Sequence, residues 1–277
     1  MSDLVKKIRN SYMQHGKENN RIYLMKLAPK DCPEILSDLD KIALDNEYSK
    51  IFAKVPYSLK QEFLEKGYQV EAQIPNFFRG KEDGIFMAKY FDEQRRQLEN
   101  KDRIFQVLEV SLKKKFKEKN FLEKGYLCRK AQKEDTKEMA KVYQKVFESY
   151  PFPIEDPSYL KKTMEENIEY FGIWNQDQLV ALSSSEMDLS LLNVEMTDFA
   201  ILPDYRGKNL SLYLLNEMEK EMKKKRIQIA YSIARSHSFA MNTTFSKAGY
   251  DFRGILIQNT QIAGHLESMN VWYKSLI

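Results

Sequence analysis

Apolar positions along the chain follow two rhythms. Alternating, β-branched or aromatic runs at residues 21–27, 50–55, 84–90, 170–174, 179–185, 195–202, 228–233 and 271–274 predict strands. Between them the apolar spacing lengthens to three and four, as a helix requires. The clearest case is 210–224, where Leu210, Leu214, Leu215, Met218 and Met222 share one face and Glu217, Lys220, Glu221 and Lys224 fall elsewhere. Asn209 stands at the expected N-cap, and the basic run 223–226 suits the negative C-terminal end. The highly charged stretch 91–120 still carries Leu98, Phe105, Leu108 and Leu112, which predicts one long connecting helix. Strands interleaved with helices predict an α/β chain.

The two ends of the chain echo each other. Phe63-Leu64-Glu65-Lys66-Gly67-Tyr68 matches Phe245-Ser246-Lys247-Ala248-Gly249-Tyr250 in character. Each unit reads strand, loop, helix, strand, helix, Gly-aromatic, strand, so a repeated supersecondary unit is expected. A left-handed C-cap explains each glycine singly, but not the matched order of elements around both. The copies differ after their first strand. The C-terminal one continues Leu202-Pro203-Asp204-Tyr205-Arg206-Gly207-Lys208-Asn209, and the N-terminal one Leu27-Ala28-Pro29-Lys30-Asp31-Cys32, with neither Arg nor Gly.

Composition narrows the chemistry. With 277 residues, 43% of them hydrophobic, the chain can fill one large or two small cores, and full disorder is excluded. A net charge of +4 is weak for this length. Cys32 and Cys128 cannot build a disulfide scaffold or a cysteine zinc cluster, and His15, His237 and His265 lack ligand spacing, so no metal is expected. The N-terminus has no apolar signal core, and no stretch approaches the ~20 apolar residues of a membrane helix. The expectation is a cytoplasmic protein without membrane partners. The basic cluster at 113–119 lacks the basic-aromatic pattern of nucleic-acid modules and reads as a solvated helix face, so no nucleic-acid partner is expected.

The segment Arg206-Gly207-Lys208-Asn209-Leu210-Ser211 lies between a buried strand and the start of an amphipathic helix. There the free N–H groups of the first turn and the helix dipole favour an anion. Gly207 would allow close backbone approach, while Arg206 and Lys208 add charge. Taken alone, Arg-Gly-Lys also fits a plain turn with solvated charges.

Residues 199–208, Phe199-Ala200-Ile201-Leu202-Pro203-Asp204-Tyr205-Arg206-Gly207-Lys208, resemble the acetyl-CoA-binding segment of the GNAT acyltransferase superfamily, with Asn209 and Ser211 at two positions where that pattern carries small residues. The resemblance spans about 125–277. It implies a first strand at 126–131, helices at 133–149 and 158–167, and a helix at 238–249 beside the pantetheine arm. Asn242 and Phe245 on that last helix are then expected at the cofactor. Phe245 stands where many superfamily members carry a tyrosine that protonates the leaving thiolate, so either water, Asn242 or another tyrosine replaces it or the thiolate leaves unaided. The whole chain resembles the β-lysine N-acetyltransferase family, most specifically in Ile74-Pro75-Asn76-Phe77-Phe78, in 236–242 and in Glu267-Ser268-Met269-Asn270-Val271-Trp272-Tyr273-Lys274. That implies acetylation of the terminal amine of β-lysine, giving a zwitterionic compatible solute.

Acyl transfer needs a neutral amine, whereas a lysine-type ammonium titrates near ~10.4. A carboxylate facing the acceptor can take the proton. Glu195 and Asp198 both precede the loop, but at a separation of three they face opposite sides of a regular strand, so either the strand bulges or one of them serves. The family resemblance ranks Glu195 first and Asp198 second. It also implies that main-chain N–H groups at Ala200 and Ile201 face the developing oxyanion. The superfamily resemblance implies that the aromatic, Pro-rich segment Tyr150-Pro151-Phe152-Pro153 walls the acceptor site, simple loop packing being the alternative, and Arg21, Arg79 and Arg253 are candidates to hold an acceptor carboxylate.

The expected architecture is therefore α/β. Residues 119–277 form a catalytic GNAT fold with a mixed central sheet flanked by helices, and 1–118 a degenerate, half-GNAT-like α/β domain. Acetyl-CoA is the expected co-substrate and a small amine the acceptor. An acetyltransferase for a polyamine or lysine, or an acyl-CoA sensor without turnover, stays open as an alternative. So does the choice between monomer and homodimer.

Overall fold

Two sets of strands, each with its helices, join edge to edge in the computed structural model, which describes residues 3–114, 121–148, 150–262 and 264–277. The first set comprises β1 (Leu4–Ile8), β2 (Ser11–Gly16), β3 (Arg21–Lys26), α1 (Glu34–Asp45), β4 (Lys50–Pro56), α2 (Lys60–Glu65), β5 (Gln69–Phe78) and β6 (Glu82–Tyr90). The helix α3 (Lys101–Leu112) follows. The second set opens with β7 (Tyr126–Lys130), α4 (Thr136–Val146) and α5 (Pro157–Glu165). It continues with β8 (Ile168–Asn175), β9 (Gln178–Asp188), β10 (Asn193–Ile201), α6 (Leu210–Lys224) and β11 (Ile229–Arg235). It ends with α7 (Phe239–Lys247), β12 (Asp251–Ile262) and β13 (His265–Ser275).

The strands form one 13-stranded sheet in the order β1-β2-β3-β4-β6-β5-β12-β13-β11-β10-β9-β8-β7. Read outward from the middle, β5-β6-β4-β3-β2-β1 has the same connectivity as β12-β13-β11-β10-β9-β8. In each half one pair is parallel, β3 with β4 and β10 with β11, and a helix (α1 or α6) crosses between them. The repeat legible in the sequence is thus a repeat of topology, and it extends over more strands than a half-domain. β7, α4 and α5 have no counterpart in the N-terminal half.

Helices cover the sheet by burying the apolar faces that their spacing foretold. Leu214 and Met218 of α6 pack with Val194 and Ala230, and Ile104 of α3 joins the same cluster. On the opposite face Met139, Tyr143 and Leu160 of α4 and α5 pack with Tyr170 and Leu182. In the N-terminal half Leu36, Leu39 and Phe63 cover Ile22 and Ile51. A fourth cluster joins the halves directly, with Phe52, Phe77 and Phe86 against Tyr231 and Val271. The Phe77 and Tyr231 rings meet edge to face, 5.2 Å apart.

The seam between the halves is narrow. β5 and β12 pair antiparallel at Ala72 and Gly254. Gly254 has φ 149°, and a Cβ there would lie 2.1 Å from the Glu71 carbonyl oxygen and 2.8 Å from the Ala72 Cα. Only glycine lets the backbones approach so closely. Next to it the chain bulges, and polar side chains of the N-terminal half hold the bulge. Lys50 and Glu71, 0% and 1% exposed, pair at 3.0 Å. Lys50 Nζ donates to the Ile257 carbonyl at 2.6 Å, and the Ile257 N–H donates to Glu71 Oε1 at 2.8 Å. Arg95 Nε donates to the Gln258 carbonyl at 2.9 Å.

One expectation needs correction. Among the described residues of 91–120 the connecting helix is limited to α3, because Asp92 accepts the Gln94 N–H at 2.8 Å in a turn and Arg95 points inward to the seam. The boundary at 118/119, and residues 115–119 of the basic cluster, lie outside the described residues. The β1–β2 hairpin was not anticipated; β1 is largely exposed, so it lacks the apolar alternation that marks a strand.

Replacing Gly254 with Ala combines backbone strain with a collision against fixed backbone, and should cost roughly 2–5 kcal/mol in urea unfolding. Gly125 also has positive φ, 96°, but open space where a Cβ would sit. Gly125→Ala should therefore cost only about 1–2 kcal/mol. Equal losses would show that the close approach at the seam is not what Gly254 provides.

Candidate active site

A cavity of about 470 Å³ lies between the two halves, lined by both. β9 and β10 contribute Glu186, Glu195 and Asp198, while β3 and β4 contribute Arg21, Tyr23 and Lys54. Tyr150 and Phe152 line it as well.

Strand register explains how the carboxylates meet. Glu195 pairs with Glu186 across β9 and with Tyr231 across β11. The register then shifts between Thr197 and Ala200, so Asp198 and Phe199 oppose the single residue Ser183. Asp198 takes φ 56° within this bulge. The bulge breaks the alternation, and a residue three positions on lines the same cavity as Glu195. Three hydroxyls hold Asp198 there, the longest contact being from Thr197 Oγ1 to Oδ1 at 3.4 Å. Ser184 Oγ donates to Oδ2 at 2.6 Å, and the Tyr150 hydroxyl donates to Oδ1. Ser184 is thereby a carboxylate partner and not a nucleophile. Glu186 was missed from sequence, because only cross-strand pairing reveals that it stands opposite Glu195.

All three carboxyl groups titrate above their usual range. Burial is the main cause for each. The charges of Asp198 and Glu195 push Glu186 further up. For Glu195, Lys54 opposes the shift, its Nζ lying 3.9 Å from Oε2. Lys54 also donates to the Tyr231 hydroxyl at 2.8 Å and lies 5.3 Å from the centre of the Tyr23 ring.

The second feature is the gap beside β10. β10 and β11 pair only from Asn193–Ile229 to Glu195–Tyr231, and then part. Glu195 is therefore the last rung before the opening. The opening leads along Phe199, Ala200 and Ile201 to the loop before α6. Arg206, Gly207, Lys208 and Asn209 are exposed there, Gly207 with φ 82° and open space around it, and Asn209 with φ 56°. Asn209 occupies the N-cap position of α6 but makes no side-chain cap hydrogen bond. Lys208 Nζ donates to the Tyr126 hydroxyl at 2.9 Å. Leu210 buries its side chain in the core, while Ser211 is half-buried.

Residues 128–250 match the acetyltransferase (GNAT) domain family. The β-lysine N(6)-acetyltransferase of Methanococcus maripaludis is 41% identical over 271 residues, covering 96% of this chain and 97% of its own. The protein of the same name from Methanosarcina mazei is 32% identical, over 88% of this chain and 97% of its own. N-acetyltransferase YodP of Bacillus subtilis is also 32% identical, over 99% and 100% of the two chains. The chain belongs to the β-lysine N(6)-acetyltransferase family within the GNAT acetyltransferases. It is an acetyl-CoA-dependent N-acetyltransferase.

Two residues expected at the acetyltransferase's cofactor are enclosed by protein side chains. Asn242 is fully enclosed, with every amide hydrogen bond spent on protein. Its Nδ2 donates to the carbonyls of Arg235 and Ser238, and its Oδ1 accepts from Asn270 and from Trp272 Nε1 at 2.7 Å. It ties α7 to β11 and β13 and has no proton to lend. Phe245 is 1% exposed and packs edge to face on Phe199 and Tyr250. Of the three arginine candidates, only Arg21 lines the cavity. Arg79 donates to the Ser190 carbonyl at 3.0 Å, and Arg253 pairs with Asp251 at 3.0 Å. Among the described residues no helix is long and apolar enough to cross a membrane, and no group of three His, Cys, Asp or Glu could hold a metal ion.

The raised carboxyl groups make stability depend on pH. The folded state keeps their protons to higher pH than the unfolded chain does. Their cost is therefore absent at acid pH and grows as pH rises through the range above the ordinary carboxyl value. Glu186→Gln removes one of these charges. Relative to wild type, its Tm should rise by about 2–4 °C at pH 8 and change little at pH 5. A gain at pH 5 that vanishes at pH 8 would contradict this sign.

Proposed function

We propose that this acetyltransferase acetylates the terminal amine of β-lysine, with residues 119–277 as the catalytic unit and 1–118 as the opposite wall of the acceptor site. One observation carries the reading: Glu195 stands at the last rung of the β10–β11 pair, lining the cavity where the strands open toward the loop. The full-length similarity to two enzymes named for β-lysine supports the choice of acceptor. Its product carries one remaining ammonium and one carboxylate, the composition of a zwitterionic solute.

Acetyl-CoA supplies the acetyl group as a thioester. The parted strands and the α6 N-terminus fit it. Arg206, Gly207, Lys208, Asn209 and the first-turn N–H groups of Leu210 and Ser211 would hold its diphosphate. Main chain at Phe199, Ala200 and Ile201 would hold the pantetheine arm, and N–H groups freed by the bulge would face the carbonyl oxygen. Glu195 takes a proton from the acceptor ammonium. Lys54 opposes the upward shift that burial imposes on Glu195, and the arriving ammonium reinforces that opposition. Asp198, held by Ser184 and Tyr150, is the second choice for this role. The acceptor is identified by incubating the protein and acetyl-CoA with a panel of amines and measuring thiol release and product mass. The assignment fails if a polyamine or lysine is preferred.

Changing Arg206 and Lys208 together to Ala should weaken CoA binding by roughly 10–100-fold, since each can donate a charge-assisted hydrogen bond. Both are exposed, so the unfolding midpoint should stay nearly unchanged. Unaltered CoA affinity would refute the loop assignment.

Glu195→Gln should preserve acetyl-CoA binding while turnover at neutral pH falls by roughly 10²–10⁴. Raising the pH should recover part of the loss, because more acceptor is then already deprotonated. A larger loss in Asp198→Asn, with Glu195→Gln nearly wild type, would exchange the two roles.

A further inference from the structure

The cavity is electrically lopsided. On the β9–β10 side, Glu186, Glu195 and Asp198 face one cation, Lys54. Toward the seam cations predominate, with Arg21, Lys50 and Arg95 gathered near Glu71, while Asp3 and Glu195 also act on Arg21 and Asp92 on Arg95. A ligand with amines at one end and an anion at the other would neutralise both ends, and only in one orientation.

Three cationic side chains line the cavity itself. Lys54 is engaged with Glu195 at 3.9 Å, and Lys26 pairs with Asp188 at 3.2 Å. Arg21 differs from both. It is 5% exposed, and among the described residues it forms no ion pair. Its Nη1 donates to the Asn259 carbonyl and, at 3.4 Å, to Thr260 Oγ1, while its Nε has no hydrogen-bond partner. A buried guanidinium with a vacant donor and no carboxylate at ion-pair distance carries a desolvation cost, which an incoming carboxylate relieves. Burial accordingly lowers Arg21 from 12.5 to about 10.

We propose that Arg21, supplied by the N-terminal half, anchors the carboxylate of the amino-acid acceptor and so aims its far amine at Glu195. The inference rests on the reading of the acceptor as β-lysine and adds the residue that selects an amino acid over a bare diamine. It gives the N-terminal half a direct task in recognition. Met and Lys side chains could not reproduce it fully, because the planar fork donates to the Asn259 carbonyl while leaving Nε for the ligand.

The test is calorimetric binding of two ligands to the full chain in the presence of CoA: β-lysine, and 1,4-diaminopentane, which is the same skeleton without its carboxyl group. Wild type should prefer β-lysine by at least roughly 30-fold, as a charge-assisted bidentate contact allows. In Arg21→Gln, which keeps a donor for the Asn259 carbonyl, the preference should fall below about threefold with diamine affinity retained. Arg21→Lys should restore part of it. An unchanged preference in Arg21→Gln overturns the anchor and leaves β-lysine as acceptor untouched. A wild-type preference for the diamine overturns the reading of the acceptor and the anchor with it. Should Arg21→Gln bind neither ligand, wild type decides through the amide of β-lysine. At least tenfold weaker binding than β-lysine supports a cationic anchor, and equal binding overturns it.

Discussion

The close approach of β12 to β5 at Gly254 is the contact on which the rest of the molecule depends. At that point two backbones pass with no room for a Cβ. Continuity of the sheet through this seam brings the inward faces of both halves together, with Phe77 against Tyr231 and Lys54 near Glu195. A larger residue at the seam would push the halves apart and open the cavity between them. The polar clamp of Lys50, Glu71 and Arg95 serves the same end, satisfying the main-chain groups that the β12 bulge releases.

Duplication alone would give two similar units, each with a parting between its parallel strands. Their division of labour comes from small local differences. The C-terminal copy has Gly207 at positive φ, exposed basic residues and a long helix behind them. The N-terminal copy places Pro29 and Asp31 at the equivalent turn, and Asp31 is occupied by Asn10 and Ser11. One copy therefore leaves an exposed, basic helix start, whereas the other spends its polar groups on its own hairpin and turns its inward face to the cavity.

Three carboxyl groups side by side are unfavourable in a protein interior without cations. Lys54 relieves part of that cost for Glu195, and burial raises all three carboxyl groups above their usual range. A polyamine-like acceptor end would complete the neutralisation. The opposite end carries the surplus of positive charge. On the proposed reading, binding and orientation of the acceptor draw on one arrangement of charge, spread over two halves that lie far apart in the chain.

Most of the element order was legible from the chain, because burial on one side imposes period two on strands and three to four on helices. The repeat was legible too, as was the loop at Arg206–Asn209, since strand, glycine and helix start are contiguous in sequence. Its left-handed glycine and exposed charges need only local geometry. The cavity was not legible. Asp198 joins Glu195 only because the strand bulges after Thr197, and Glu186 joins them only through cross-strand register. Asn242 and Phe245, placed at the cofactor by resemblance, turn inward because the amides and rings of β13 and β10 claim them. Local sequence sets which residues can form a strand, a helix or an anion-binding turn. Which charges share one desolvated space, and hence which of them must be paired by a ligand, is decided by contacts between distant segments, and only the folded sheet makes those.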